Sequence, residues 1–314
     1  MIHFVNLNAT WDTVLLCPAL KLGAVNKAGA VLSYPGGKGN NAARAAALMG
    51  AKPRLFAFCG KQDHAAAARF YRDKGVAAKL FAVPGHNRPC AILLDASKDQ
   101  ETVINSPSQL KLNQKNMDAL KRALIAVLRP GDLVSLSGSI PEGLKPETYR
   151  DLILACQRAG AVAMLDAHGP ALRHGVEAAP FLVKPNADEL GEAFGWKVSN
   201  RSQILAAAKR ILKMGSRVVV VTLGERGALC LTHREALYVA PLPRPRGWHS
   251  SVGCGDAFFG ALALGMDRGM DLKDCLKLAT GAAWANLHAP GAVFFDRKLA
   301  LAQAGQVRVS RIGL

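Results

Sequence analysis

Short apolar runs that end in glycine or a polar residue, each followed by a stretch with helical spacing, recur along most of this chain and leave little freedom in its fold class. RLFAFCG (54–60), DLVSLSG (132–138), AVAMLDAHG (161–169), FLVKPN (181–186) and RVVVVTLG (217–224) read as strands buried on both faces, as in a parallel sheet. Among them lie NNAARAAALMG, NMDALKRALIAVL, PETYRDLILACQRAG and SQILAAAKRILKMG, whose apolar residues recur at helical spacing and most of which stop at glycine. Strands alternating with helices in this way predict an α/β fold: a mostly parallel central sheet with helices on both faces.

Two segments break the rhythm. Residues 12–35 and 84–106 alternate like strands separated by turns, with no crossover helix, and are expected to pair in a small sheet covering a site. In an open α/β sheet the ligand lies beyond the carboxyl ends of the strands, so the residues that end each strand carry most weight. At 314 residues, half of them hydrophobic and with no low-complexity tract, the chain is expected to be a single domain, 1–314, with the small sheet as an appendage.

The formal charge of +17 raises the question of a nucleic-acid or membrane partner. Its distribution argues against both. Basic residues are spread through helical segments such as AAAKRILKMGSR, with no block of five or more, as on a solvated surface; PLPRPRGWH (241–249) is the local exception and reads as a loop or irregular strand. The seven cysteines are scattered without a C-x-x-C spacing, which fits reduced thiols in a cytoplasm. There is no basic leader followed by an apolar core, nor any run of about 18 apolar residues, so a soluble cytoplasmic protein is expected.

Four stretches carry chemistry. GGKGNNAARAAALMG (36–50) places three glycines and Lys38 before a helix, which suits close approach to a ligand or simply a tight strand-to-helix turn; it is neither a G-x-x-x-x-G-K-[ST] loop nor a G-x-G-x-x-G turn. In KPNADEL (184–190), Asn186 and Glu189 stand three apart at a helix start, where they could hold hydrated Mg²⁺ or form an N-terminal capping box. TLGERGAL (222–229) is a glycine-containing turn that suits a nucleotide pocket or any hairpin. SSVGCGDAFFGALALG (250–265) sets Asp256 beside a glycine-rich helix start, as a proton acceptor next to an anion hole or as an acid stabilised by the helix dipole.

In this order the stretches resemble the two signatures of the ribokinase-like (PfkB) family of carbohydrate kinases, a GGKG-N-A stretch near the N-terminus and GAGD-F-G near the C-terminus; the resemblance runs from about residue 2 to residue 295. Within the family, Asn8, Asp12, Gly23, Val25 and Asn26 look like the opening of the branch of 1-phosphofructokinases and tagatose-6-phosphate kinases. LSGSIPEG and LVKPNADEL are similar to that branch too, and Arg88 falls where it tends to place an arginine, a side chain whose fork suits phosphate.

The resemblance implies a ribokinase-like three-layer sandwich with a β-sheet lid, and transfer of the γ-phosphate of MgATP to a hydroxyl of a ketohexose phosphate. It implies Asp256 as general base and the N–H groups of Gly253, Cys254 and Gly255 as the anion hole. Asn186 and Glu189 would organise Mg²⁺ through water. Lys184, Thr222, Gly224, Gly227 and Asn286 would surround the nucleotide, and Asp12, Gly37, Lys38, Asn41 and Arg88 the sugar phosphate, with Ser139 as another phosphate contact. A monovalent cation (K⁺) near HAPGAVFF (288–295) and a homodimer formed through the lid are further implications. Cys254 stands in place of the family alanine, Ala9 in place of a proline, GNNAA in place of GINVA, and His168 where a small hydroxyl residue is usual. Three of these departures fall near the sugar side. The competing readings are a kinase of an unphosphorylated sugar or nucleoside, and a non-catalytic sugar-phosphate sensor on the same fold.

Overall fold

A computed structural model describes residues 1–245 and 250–313. The chain begins with β1 (Ile2–Asn6), β2 (Thr10–Cys17), β3 (Ala30–Gly36), α1 (Lys38–Leu48), β4 (Arg54–Gly60), α2 (His64–Asp73), β5 (Ala77–Val83), β6 (Arg88–Asp95) and β7 (Gln100–Asn105). It continues through α3 (Gln114–Ile125), β8 (Leu133–Ser137), α4 (Thr148–Arg158), β9 (Val162–Asp166), α5 (Gly169–Glu177), β10 (Leu182–Val183), α6 (Ala187–Phe194) and α7 (Arg201–Lys213). The last part holds β11 (Val218–Thr222), β12 (Ala228–Thr232), β13 (Ala236–Val239), α8 (Cys254–Asp267), α9 (Leu272–Asn286), α10 (Arg297–Ala304) and β14 (Val309–Ile312).

The main sheet has the order β14-β13-β12-β11-β10-β9-β8-β1-β4-β5. It is parallel from β5 to β11, and β12, β13 and β14 extend the other edge antiparallel. Both faces of the parallel strands are covered, which is why their sequences are apolar without alternation. Along β11, Val218 and Val220 face one core and Val219 and Val221 the other. Buried residues of α1, α2, α8, α9 and α10 form the first core with the sheet, and those of α3 to α7 the second, giving three layers. The antiparallel edge was not marked in the sequence, because β12 and β13 are short runs of five and four residues following a glycine turn.

The segments 12–35 and 84–106 supply the second sheet, order β3-β2-β6-β7. β2 leaves the carboxyl end of β1 after three residues, and β3 runs straight into α1, so this sheet stands over the carboxyl edge of the main one. β2 pairs parallel to β6 with Thr10 opposite Arg88 and Asp12 opposite Cys90. Val14, Tyr34, Cys90, Ile92 and Leu94 join the first core, whereas Val31, Leu32, Val103 and Ile104 are exposed. Of the basic stretch 241–249, residues 241–245 have no regular structure and 246–249 lie outside the described residues. Among the described residues, no helix is long and apolar enough to cross a membrane.

Candidate active site

Two helix N-termini meet at the centre of the carboxyl edge. α8 lies against α1 with unusually small side chains between them: a Cβ on Gly260 would come within 2.3 Å of the Ala42 carbonyl oxygen. That approach brings the first turns together, so Asn41 Nδ2 donates a 2.8 Å hydrogen bond to Asp256 Oδ2 across 215 residues of sequence. Gly253 turns the chain into α8 with φ of 80°, and a Cβ there would lie 2.6 Å from Ala292. Glycine is the residue that meets both demands.

Of the three N–H groups expected to form an anion hole, that of Cys254 is otherwise engaged. The N–H of Cys254 donates to the Ser251 carbonyl at 3.1 Å and is committed to that turn. The N–H groups of Gly253 and Gly255 have no protein acceptor among the described residues, and they stand at the positive end of α8. The Cys254 thiol accepts a 3.4 Å hydrogen bond from Asn286 Nδ2, and burial pushes it up to about 12, so it stays protonated at neutral pH.

Beside Asp256 lies a cluster of alternating charge. Lys38 Nζ is 2.7 Å from Glu189 Oε1 and 3.5 Å from Asp166 Oδ1, and the buried Lys184 Nζ is 3.2 Å from Asp166 Oδ2. Burial, then the Asp166 charge, push the Asp256 carboxyl up to about 7, with Lys38, the Asn41 hydrogen bond and Lys184 pulling the other way. Burial also pushes Glu189 up, but Lys38 and Lys184 outweigh it and hold it below its ordinary value. A buried carboxyl with a pKa near 7 beside a cleft lined by its neighbours Cys254 and Gly255 is a suitable general base. Asp166, the polar end of a strand, entered no sequence-based site; the signal was its position at a carboxyl edge.

Asn186 and Glu189 form the capping box of α6: Asn186 Oδ1 accepts from Glu189 N at 2.7 Å, and Glu189 Oε2 accepts from Asn186 N at 2.9 Å. The capping role is therefore real, and it leaves Glu189 Oε1 turned to Lys38. Lys38 itself is directed to these carboxylates rather than into open space.

A cleft of about 790 Å³ opens next to α8 and is lined by Asn186, Thr222, Gly224, Gly227, Cys254 and Gly255, with Trp284 on its far wall. Lys184 and Asn286 do not line it. Asn286 is fully buried behind the wall, donating to the Val252 carbonyl at 2.8 Å and accepting from Val293 N at 2.7 Å, so it braces the turn before α8. Glu101 of β7, which the sequence did not suggest, reaches the same wall: it accepts from Ser250 Oγ at 2.7 Å and Ser251 N at 3.0 Å, and also from Ser251 Oγ. This ties the small sheet to the loop preceding Gly253.

In β2 of the small sheet, Asp12 is buried and accepts from Thr10 Oγ1 at 2.5 Å; burial raises its carboxyl above the ordinary range. Arg88 donates from Nη1 to Asn105 Oδ1 and the Ser106 carbonyl, each at 3.2 Å, and its buried Nε has no partner among the described residues. Ser139 Oγ accepts from Asn8 Nδ2 at 2.8 Å, and Gly37 forms the start of α1.

The family model described as pfkB family carbohydrate kinase matches residues 8–298. The 1-phosphofructokinase of Rhodobacter capsulatus is 32% identical over 277 residues, covering 88% of this chain and 87% of that protein. Among solved structures, phosphofructokinase-2 from Escherichia coli in complex with potassium superposes with a TM-score of 0.89 at 24% identity, covering 97% of this chain and 98% of that one. Arabidopsis thaliana ribokinase complexed with ribose and ATP superposes at 0.73 with 21% identity, covering 96% of this chain and 98% of that one, which shows the ribokinase-like fold. With the family model spanning nearly the whole chain and two helix N-termini meeting at Asp256, the chain belongs to the pfkB family of carbohydrate kinases and is a phosphotransferase with an alcohol acceptor.

Proposed function

We propose that the chain transfers the γ-phosphate of ATP to a hydroxyl of a ketohexose phosphate, fructose 1-phosphate or tagatose 6-phosphate, in a cytoplasmic setting. The observation that carries the phosphorylated substrate is Arg88: a partly buried guanidinium at the start of β6, opposite Thr10 and near Asp12, with a buried Nε that no group among the described residues satisfies. An unused donor of this kind suits a phosphate oxygen. The 1-phosphofructokinase relatives support the same choice.

Asp256 takes the hydroxyl proton, and the free N–H groups of Gly253 and Gly255 stabilise charge on the phosphoryl group in flight. Asp12, Gly37, Lys38, Asn41, Arg88 and Ser139 hold the sugar phosphate, while Thr222, Gly224 and Gly227 line the nucleotide's place. Among the described residues no three ligating side chains stand close enough together to hold a bare metal ion, and the Asp166 and Glu189 carboxylates are paired with Lys38 and Lys184, so the residues present fit a hydrated cation held through water. Glu189 and Asn186 would hold hydrated Mg²⁺, whose contribution when bound is to neutralise the phosphates. A K⁺ ion near residues 288–295 is part of the reading, motivated by the potassium complex of phosphofructokinase-2. So is a homodimer joined through the small sheet, on which Val31, Val103 and Ile104 are exposed.

Arg88→Ala tests the substrate class. We expect KM for the sugar phosphate to rise about 10- to 100-fold, the loss of one to two charge-assisted hydrogen bonds, while any activity on a neutral sugar is unchanged. Unaltered steady-state kinetics with every phosphorylated substrate would contradict the assignment. ATP binding without turnover on any of them would favour the sensor reading.

A further inference from the structure

Arg44 lies on α1, one turn after Asn41, and is only 2% exposed. Its sequence context, a basic residue among alanines in a helix, suggests a solvated side chain. Instead it points inward, 5.2 Å from the ring centroids of each of Tyr34, Phe70 and Phe294. Among the described residues no carboxylate pairs with it at salt-bridge distance, and its Nε and Nη1 are buried without a hydrogen-bond partner. Burying a cation this way is costly, and a methionine or leucine would fill the space more cheaply.

Nη2 is the one nitrogen that is used. It donates to Asn41 Oδ1 at 2.8 Å and to the Ala292 carbonyl at 2.8 Å. An asparagine amide has an accepting end and a donating end, and it can be turned over by a half rotation. Because Arg44 claims the oxygen, the NH₂ end must face Asp256, where it donates at 2.8 Å. Turned the other way, the amide oxygen would oppose the carboxylate and both would lose a partner.

We propose that Arg44 is a positioning residue for phosphoryl transfer: held by an aromatic cage, it fixes the orientation of the Asn41 amide and thereby the ionisation of Asp256. The inference rests on Asp256 being the base. The groups facing Asp256 are Asp166 from β9, Lys38 and Asn41 from α1, and Lys184 from the segment after β10; those facing Arg44 are Tyr71 from α2, Tyr34 from β3, Asp12 from β2 and Asp256 itself from α8. Of these groups, the Asn41 amide is the one hydrogen-bonded to both Arg44 and Asp256. A double-variant experiment separates this route from the direct charge effect of Arg44 on Asp256.

The test is the pH dependence of kcat/KM for wild type, Arg44→Met, Asn41→Ala and the pair, with Asp256→Asn alongside. For Arg44→Met we expect the acid limb to move up by about one pH unit, mainly because the Asn41 amide is no longer held with its NH₂ end toward Asp256 and to a smaller extent because a positive charge is removed, the part that persists in the Asn41→Ala background. Activity at pH 7 should fall several-fold and recover by pH 9, with KM for ATP unchanged. In the Asn41→Ala background, Arg44→Met should move the limb little further. An unmoved limb, or an equal shift in both backgrounds, overturns the proposal. Should Arg44→Met not fold, Arg44→Gln, a polar side chain without the charge and too short to reach both acceptors, is read by the same criteria. Asp256→Asn with near-normal turnover would remove the base and the Arg44 proposal together; an inactive Asp256→Asn with an unmoved Arg44 variant would remove the second alone.

Discussion

Asp256 is a carboxylate held where a carboxylate is poorly solvated, and its folded-state pKa of about 7 stands above the ordinary 3.8 mainly through burial and secondly through Asp166. Between those two values the folded protein binds a proton that the unfolded chain has lost. Stability therefore falls as pH rises through that window, and above it the charged form carries the whole penalty. Asp256→Asn, which has no charge to bury, is expected to raise the thermal midpoint at pH 8 by several degrees, roughly 2–4 °C for each kcal/mol relieved, with little gain near pH 4. Differential scanning calorimetry at the two pH values checks this; an equal gain at both would mean that burial of charge is not the cause. Such a residue illustrates a stability cost located at the proposed reacting position.

At the scale of elements, the site depends on how closely α1 and α8 approach. Gly260→Ala would put a Cβ 2.3 Å from the Ala42 carbonyl and 2.7 Å from Ala45 Cβ. Overpacking of this kind costs about 1–3 kcal/mol, and separating the helices lengthens the Asn41–Asp256 hydrogen bond. We expect a lower denaturant midpoint together with reduced kcat; full kcat in a destabilised variant would show that the helix spacing does not set the reacting geometry. The elements themselves were largely legible in the sequence. Val218 to Val221 are apolar on both faces because both faces are covered, and the two segments without crossover helices did pair as β2, β3, β6 and β7. Side-chain partners were less legible. Asn186 and Glu189 allowed a cap or a cation site, and the cap forms while Glu189 Oε1 still faces the charge cluster, so spacing alone had no means of separating them. Arg44, Asp166 and Glu101 owe their places to contacts far apart in sequence, such as 128 residues for Asp166 with Lys38, 149 for Glu101 with Ser250 and 248 for Arg44 with Ala292, which no local pattern encodes.

For the whole molecule, the charge of +17 acquires a use if both substrates are polyanions, since a basic surface raises their local concentration and speeds encounter. The small sheet stands over the acceptor side and touches the donor side through Glu101, so one appendage adjoins both halves of the proposed reaction. The account's central claim is the reaction itself. It is tested most directly by measuring ADP release with MgATP against fructose 1-phosphate, tagatose 6-phosphate, fructose 6-phosphate, fructose and ribose, with the bisphosphate product identified by ³¹P NMR. The account predicts the highest kcat/KM for fructose 1-phosphate or tagatose 6-phosphate, in the ordinary enzymatic range of about 10⁴–10⁸ M⁻¹s⁻¹, and its loss in Asp256→Asn. Preference for a neutral sugar, or no turnover with any of the five, would contradict it.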